Sequence, residues 1–498
     1  MSNDSLVMAR RLTLVLAVLI AVCSAAVVVI APKAQAGTAA QVLHYEYGPI
    51  HIDAGQNTIQ FSSGQVAKPA VDGWIVGIKP NILLPDNTTP RVDVIHLHHA
   101  VWVNLSRTDS TRGGPQRFFA AGEEKTALAL PKGYGYPYVA SDSWLLNFMI
   151  HDLVNQSFDV RITYDLTFIP KAGYTKPITD VTPVWMDVQN GDLYPVFNVY
   201  RGRGTNGQFT YPDQAANPYG SAAPKNQFTM PTGGTFVWAG GHLHPGGLWD
   251  DLYVDRGGQS AHVFRSTAKY FEKAGPVSWD VSLGVTKPTW KLQVQTGDVL
   301  RLTTTYDSSQ HSWYEAMGIM VLWFAPNHSG GTDPSTLAAA KNQVHYTHGH
   351  LAENDNHGGL ADPDLRDPST LPSGPNITNI AISNYEYSPG DLDLATQVPT
   401  VQQGHSIRFT NADAPSSGYG TWHSITACAL PCNLTTGIAY PTANALIGFD
   451  SGQLGNYGAP TAGHLTWDTP TDLPPGTYAF WCRVHPFMRG AFRVVPAT

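Results

Sequence analysis

The run Phe480-Trp481-Cys482-Arg483-Val484-His485-Pro486-Phe487-Met488-Arg489-Gly490 places a thiol, an imidazole and a thioether at positions i, i+3 and i+6. Side chains so spaced in a tight loop can converge on one metal ion. A thiolate with imidazole suits copper or zinc, and a methionine added as a weak axial ligand makes the blue-copper set. That set needs a second histidine. Thr421-Trp422-His423-Ser424-Ile425-Thr426 supplies it, about 60 residues upstream. The plain alternative is a buried cysteine beside a surface histidine and a core methionine. Four fitting ligands, His423, Cys482, His485 and Met488, speak instead for a type 1 copper, whose work is electron transfer.

A second constellation lies earlier in the chain. It comprises His96-Leu97-His98-His99 in an apolar stretch and His151 within Phe148-Met149-Ile150-His151-Asp152. His242-Leu243-His244 follows between two glycine pairs, and Met317 sits within Glu315-Ala316-Met317-Gly318. Histidines two apart on a strand point to the same face, so His242 and His244 can share an ion. A thioether as third ligand favours Cu(I), the state that binds dioxygen. His98 and His99 are adjacent, and a regular strand sends neighbours to opposite faces. Their joint use demands a bulge or a strand end. His96 with His98 is the geometrically simpler pair. Taken singly, His151 reads as a core histidine and Met317 as core packing.

The elements that must carry these residues are short strands. Among 498 residues there are 47 glycines and 37 prolines, and only 14% are charged. This composition favours strands and turns over helices. The fold class expected is all-β, in three sandwich-sized blocks at residues 42–170, 178–326 and 376–498. Residues 327–375 are rich in Gly, Pro, Asp and His and read as a linker. Its His345, His348, His350 and His357, beside Glu353, Asp355 and Asp362, form either a metal-loading tract or a solvated one. A net charge of −8 without a basic block argues against nucleic acid as a partner. Residues 1–36 read as an export signal: Arg10-Arg11, an apolar run over 12–31, then Ala34-Gln35-Ala36 as a cleavage pattern. The run is long enough to span a bilayer if it is not cleaved. The expected location is secreted or periplasmic, where Cys428 and Cys432 could close a small disulfide loop. Asn-x-Ser/Thr sequons occur, Asn104 and Asn433 among them.

At the residues quoted, the C-terminal block resembles the cupredoxin family, and its Cys-x-x-His-Pro-Phe-Met-Arg-Gly loop is most similar to that of amicyanins. The resemblance implies a Greek-key sandwich holding type 1 copper. The order His-His, His, His-x-His, Met over 42–326 resembles the copper type II, ascorbate-dependent monooxygenases, which include the peptidylglycine- and dopamine-hydroxylating enzymes. That resemblance rests on six ligands in order. It implies two tandem monooxygenase-type β-sandwiches facing a cleft. His98, His99 and His151 would hold an electron-transfer copper. His242, His244 and Met317 would hold the copper that activates dioxygen and hydroxylates a C–H bond. Three copper sites are thus expected in one chain, with ascorbate or a small external protein as upstream electron donor.

Two departures qualify the resemblance. The peptide-amidating enzymes place an arginine two residues before His-x-His, and Asn and Tyr two and four residues after the methionine. Here these are Gly240, Ile319 and Val321. The substrate-carboxylate apparatus is missing at those positions, which argues against peptide amidation and leaves an uncharged, partly apolar small organic substrate as the better fit. The animal enzymes are braced by disulfides, whereas residues 37–427 contain no cysteine.

The function expected is an exported copper monooxygenase carrying its own electron-transfer domain. The second expectation is a secreted copper-binding or delivery protein without turnover. A multicopper oxidase or nitrite reductase fits less well. Both place a histidine beside the blue-copper cysteine, and here Trp481 and Arg483 flank Cys482.

Overall fold

The computed structural model describes residues 39–497 except 65, 193–194, 272–274, 310, 346–365, 394, 415–420, 433–447 and 456–463. The fold is all-β, as the composition implies. Residues 1–36, the segment read as an export signal, and with them Cys23, lie outside the described residues. So do His348, His350, His357 and Asn433. Among the described residues no helix is long and apolar enough to cross a membrane.

Two sheets make the first sandwich. One is built on Gln41–Ile52, Phe158–Pro170 and Gly73–Leu83, the other on Ile59–Phe61, Trp144–Asp152, Ile95–Thr108 and Pro115–Gly122. Phe158–Pro170 shows the reason: Val160, Ile162, Tyr164, Leu166 and Phe168 alternate inward and are each at most 1% exposed. Each such side chain contributes about 1.5–3 kcal/mol on burial, and Ile162→Ala would cost about 2–5 kcal/mol. Thr179–Asp180, placed by sequence in the second block, pairs in parallel with Tyr134 and Gly135 of the first.

The second sandwich centres on Gly234–Leu243, paired antiparallel with Gly318–Pro326 and flanked by Val281–Thr286. Part of the segment read as linker belongs to it: Gln343–His345 pairs with Val281–Thr286. His345 is engaged there through Nε2 to the Thr267 carbonyl, 2.8 Å away. The third block holds a five-stranded sheet including Thr426–Cys428, Gly476–Trp481 and Arg489–Val495, and a four-stranded sheet including Arg408–Asn411. Cys428 and Cys432 are joined as a disulfide. Asn104 is fully buried and bonds the Tyr136 hydroxyl and Asp142, so its sequon is closed to modification in the folded chain.

Candidate metal centres

Strand Gly476–Trp481 delivers Cys482 at its end, and the loop returns along Arg489–Val495 through the pair Trp481–Arg489. Within the loop, the Cys482 amide donates to the Met488 carbonyl at 3.1 Å and the Met488 amide to the His485 carbonyl at 2.9 Å. These bonds fold the i, i+3, i+6 spacing into a cup. The Cys482 Sγ lies 3.8 Å from His423 Nδ1 and 3.6 Å from His485 Nδ1, and the two nitrogens are 3.1 Å apart. Among the described residues, these three alone form a His/Cys/Asp/Glu group whose ligand atoms all lie within 4.8 Å of one another. Cys482 is a free thiol, and Met488 is buried in the same apolar cluster. The Ser424 amide donates to Sγ at 3.4 Å. Asp413 Oδ2 takes His423 Nε2 at 2.9 Å, which turns Nδ1 toward the cup. Burial alone would lower the His423 pKa, but Asp413 and Cys482 raise it above its ordinary value. Burial holds His485 well below.

The bulge that the adjacent histidines demand is present. Leu97 faces Ile150 and His99 faces Met149, so one residue, His98, is extra on its strand. His98 and His99 thereby bring their Nδ1 atoms within 3.3 Å of each other. His151 lies on the next strand, its ring centroid 6.2 Å from that of His98. Its Nε2 bonds the Val484 carbonyl at 2.7 Å, and its Nδ1 is buried without a partner. His96, the simpler mate of His98 on paper, directs Nδ1 at the Val92 carbonyl at 3.2 Å and abuts His151 edge-on.

On the second sandwich, register does the positioning. His242 pairs with Ile319 and Leu243 with Gly318, so His244 falls opposite Met317 just beyond the ladder. Tyr306 pins both ends: its hydroxyl accepts the His244 and Met317 amides, each at 3.1 Å, and donates to the Met317 carbonyl at 2.6 Å. His244 Nε2 is buried and unpartnered. His242 Nδ1 meets Glu124 Oε2, from the first sandwich, at 3.2 Å. Gly122 is obligatory here, because a Cβ would meet the His98 carbonyl at 2.6 Å and His242 Cε1 at 2.8 Å.

The two sandwiches bring their histidines together. His98 and His244 ring centroids are 4.8 Å apart, and the Trp279 ring lies 5.2, 4.7 and 5.1 Å from those of His96, His98 and His244. Unpartnered imidazole nitrogens in a dry site are costly, about 1–3 kcal/mol each. A metal ion would satisfy them, and neutral imidazole with thioether is a copper-type donor set. A cavity of about 290 Å³ opens beside them, with His99, His242 and Met317 in its wall. Glu124, Tyr306, Asp413 and Trp279 were not singled out from sequence. Of these, only Glu124 left a signal, in the charged Glu123-Glu124-Lys125 after an apolar strand, all three now buried.

No protein-family model matches the chain, and no curated protein matches it. Among solved structures, a copper-containing nitrite reductase from Thermus scotoductus matches at 13% identity with a TM-score of 0.15. The match covers 53% of this chain and 55% of that one, about half of each, and at that TM-score it carries no argument about fold or activity.

Proposed function

We propose that the chain is an exported copper monooxygenase that hydroxylates a C–H bond of an organic substrate with dioxygen, its electrons supplied through the fused cupredoxin-like domain. One observation carries the reading: a row of imidazoles, buried except for the half-buried His242 at its end, runs from the Cys482 loop to the cavity. Successive ring centroids are 6.1 Å (His485–His151), 6.2 Å (His151–His98), 4.8 Å (His98–His244) and 5.4 Å (His244–His242). Such a row links an electron-transfer site to a reaction site.

In this reading His423, Cys482, His485 and Met488 hold type 1 copper. His98, His99 and His151 hold the electron-transfer copper, and His242, His244 and Met317 hold the copper at which oxygen reacts. Copper so bound would supply one-electron transfer and dioxygen activation. The chain's own residues do the rest. Glu124 holds Nδ1 of His242, leaving Nε2 for the ion. Tyr306 fixes the spacing of His244 and Met317. Val101, Val103, Trp238 and Ile319 would give the reacting carbon an apolar surround. Gly240 has no room for the arginine of peptide-amidating enzymes, since a Cβ there would meet the Trp238 ring at 2.5 Å. That favours a substrate other than a peptide C-terminus. His151 joins the two metal-bearing regions, its imidazole bonded to the peptide between Arg483 and His485.

The test is the metal count per chain with oxygen uptake under ascorbate, for wild type and Met317→Ala. Three coppers, with uptake that collapses in the variant, are expected. One blue copper with no Met317-dependent uptake would overturn the reading and leave a copper-binding or delivery protein.

A further inference from the structure

The cavity beside His242 and Met317 is a lane rather than a bowl. His99, Val101, Val103 and Leu105 all line it. They are every second residue of Ile95–Thr108, so one strand face forms a wall from the histidines outward. The six steps from His99 to Leu105 span about 20 Å of strand. Trp185 and Trp238 add apolar surface. The lane thus suits an elongated apolar body.

Its charged residues do not balance. Glu124 is bonded to His242, and Asp192 is held by Lys225 Nζ at 2.7 and 2.9 Å. Arg117 is spent on Asp109, at 2.8 Å, and lies over the Trp185 ring. Arg112 also lines the cavity, from the hairpin tip between Ile95–Thr108 and Pro115–Gly122. Its amide is tied to Asp109, but its guanidinium makes no hydrogen bond or ion pair among the described residues. Of the nearby acids, Asp109 is taken by Arg117, and burial pushes the pKa of Asp187 up to about 7. One half-buried cation is left over, at the end of the lane away from His99.

We propose that the lane takes an elongated amphiphile with a single anionic head, an alkyl carboxylate, whose head pairs with Arg112 and whose chain runs along the Val101–Val103–Leu105 face toward His242 and Met317. This deepens the monooxygenase reading and rests on it for the fate of the chain, but not for binding. It replaces the uncharged substrate expected from Gly240, Ile319 and Val321. The apolar inner end stands, and the charge is recognised from the first sandwich instead. A guanidinium paired with a carboxylate in a half-dry site is a charge-assisted, bidentate contact. The C–H bond presented to His242 is accordingly remote from the carboxylate.

The experiment uses copper-free full-length protein, so it does not depend on turnover. Decanoate, decanol and decyltrimethylammonium, each below its micelle concentration, are titrated by calorimetry and by tryptophan fluorescence. Decanoate is expected to bind at least tenfold more tightly than decanol, and the ammonium compound least. Arg112→Met should weaken decanoate about tenfold or more and leave decanol unchanged, while Arg112→Lys retains part of the preference. Val103→Trp, which fills the lane, should weaken both. Equal binding of decanoate and decanol, or a decanoate affinity indifferent to Arg112→Met, overturns the proposal, as does the absence of binding. Arg112-dependent binding without Met317-dependent oxygen uptake would instead sink the monooxygenase reading and leave the site standing.

Discussion

Glu124 offers the sharpest test of how the His242 site is built. Its carboxylate is 3% exposed and has two partners: Oε1 accepts the Gly122 amide at 2.8 Å, and Oε2 faces His242 Nδ1 at 3.2 Å. The second bond fixes the imidazole tautomer and orientation, so that Nε2 is the atom presented to an ion. Burial works against its ionisation, yet His242 and the Gly122 amide hold its pKa below the ordinary value. Glu124→Gln keeps the shape and removes the charge; with its single oxygen turned to His242 Nδ1–H it keeps a neutral bond there and leaves the Gly122 amide without its acceptor. A charge-assisted bond is worth about 1.5–3 kcal/mol and a neutral one about 0.5–1.5. The expected loss is therefore about 1–1.5 kcal/mol, or roughly 5- to 13-fold in copper affinity at this site. Glu124→Ala leaves the imidazole unsupported, and removal of such an outer partner typically costs about 10- to 100-fold. Cu(I) titration against a chromogenic chelator reads both variants, and the blue absorbance expected of the Cys482 site in separately oxidised, Cu(II)-loaded samples serves as control. Wild-type affinity in Glu124→Ala would refute the reasoning. So would a parallel weakening at Cys482, since that reports a general loss of fold.

Three further outcomes are expected. Arg483 donates to the Ser312 carbonyl of the second sandwich and to Asp450 Oδ2 at 2.7 Å, and lies over the Tyr314 ring; Arg483→Met removes a charged contact between domains worth about 1.5–3 kcal/mol. Hydrogen exchange should accelerate around residues 311–316 and 482–488, and unchanged exchange at both segments contradicts the docking role. Gly122→Ala should destabilise the fold by about 1–3 kcal/mol through overpacking, lower copper affinity at His242, and spare the Cys482 site; a variant with wild-type melting and metal content rules this out. Asp187 is buried with its pKa pushed up to about 7, so the folded state keeps a proton that the unfolded chain has lost. Its raised pKa makes stability fall as pH climbs from about 4 to about 7. Asp187→Asn keeps an acceptor for the Gln189 amide and should raise the melting temperature at pH 7.5 but not at pH 4, which calorimetry at the two values decides.

What could be read in advance followed from local pattern. Val160, Ile162, Tyr164, Leu166 and Phe168 announce their strand by period, and the Cys482–Met488 loop closes within seven residues. The need for a bulge or a strand end at His98–His99 was legible from adjacency alone, because two neighbours cannot share a face of a regular strand. Its place, with Leu97 opposite Ile150 and His99 opposite Met149, is a matter of pairing and was not. Gln343–His345 is too short to show periodicity and is held by its partner strand rather than by its own sequence. The contacts of Glu124 with His242 and of His151 with Val484 join residues 118 and 333 positions apart. Nothing local in either partner encodes the meeting, which arises only when whole sandwiches pack.

The placement of the Cys482 loop has a consequence for how the domains act together. Arg483 and Val484 are consecutive, yet Arg483 reaches Ser312 on the second sandwich while the Val484 carbonyl takes His151 on the first. One dipeptide, lying between Cys482 and His485, thus touches both sandwiches that carry the other histidines. Tethering of this kind replaces a diffusional encounter by an intramolecular one, and the His485–His151 contact needs no search. It also ties the Cys482 loop mechanically to both sandwiches. Any rearrangement that separates the sandwiches around a substrate must stretch the bonds of residue 483 or of residue 484, and so alter the loop that carries Cys482 and His485. In the proposed reading, electrons entering through the loop and any movement of the two sandwiches would be felt at the same two residues, which gives a reason for the donor to be part of the chain rather than a separate protein.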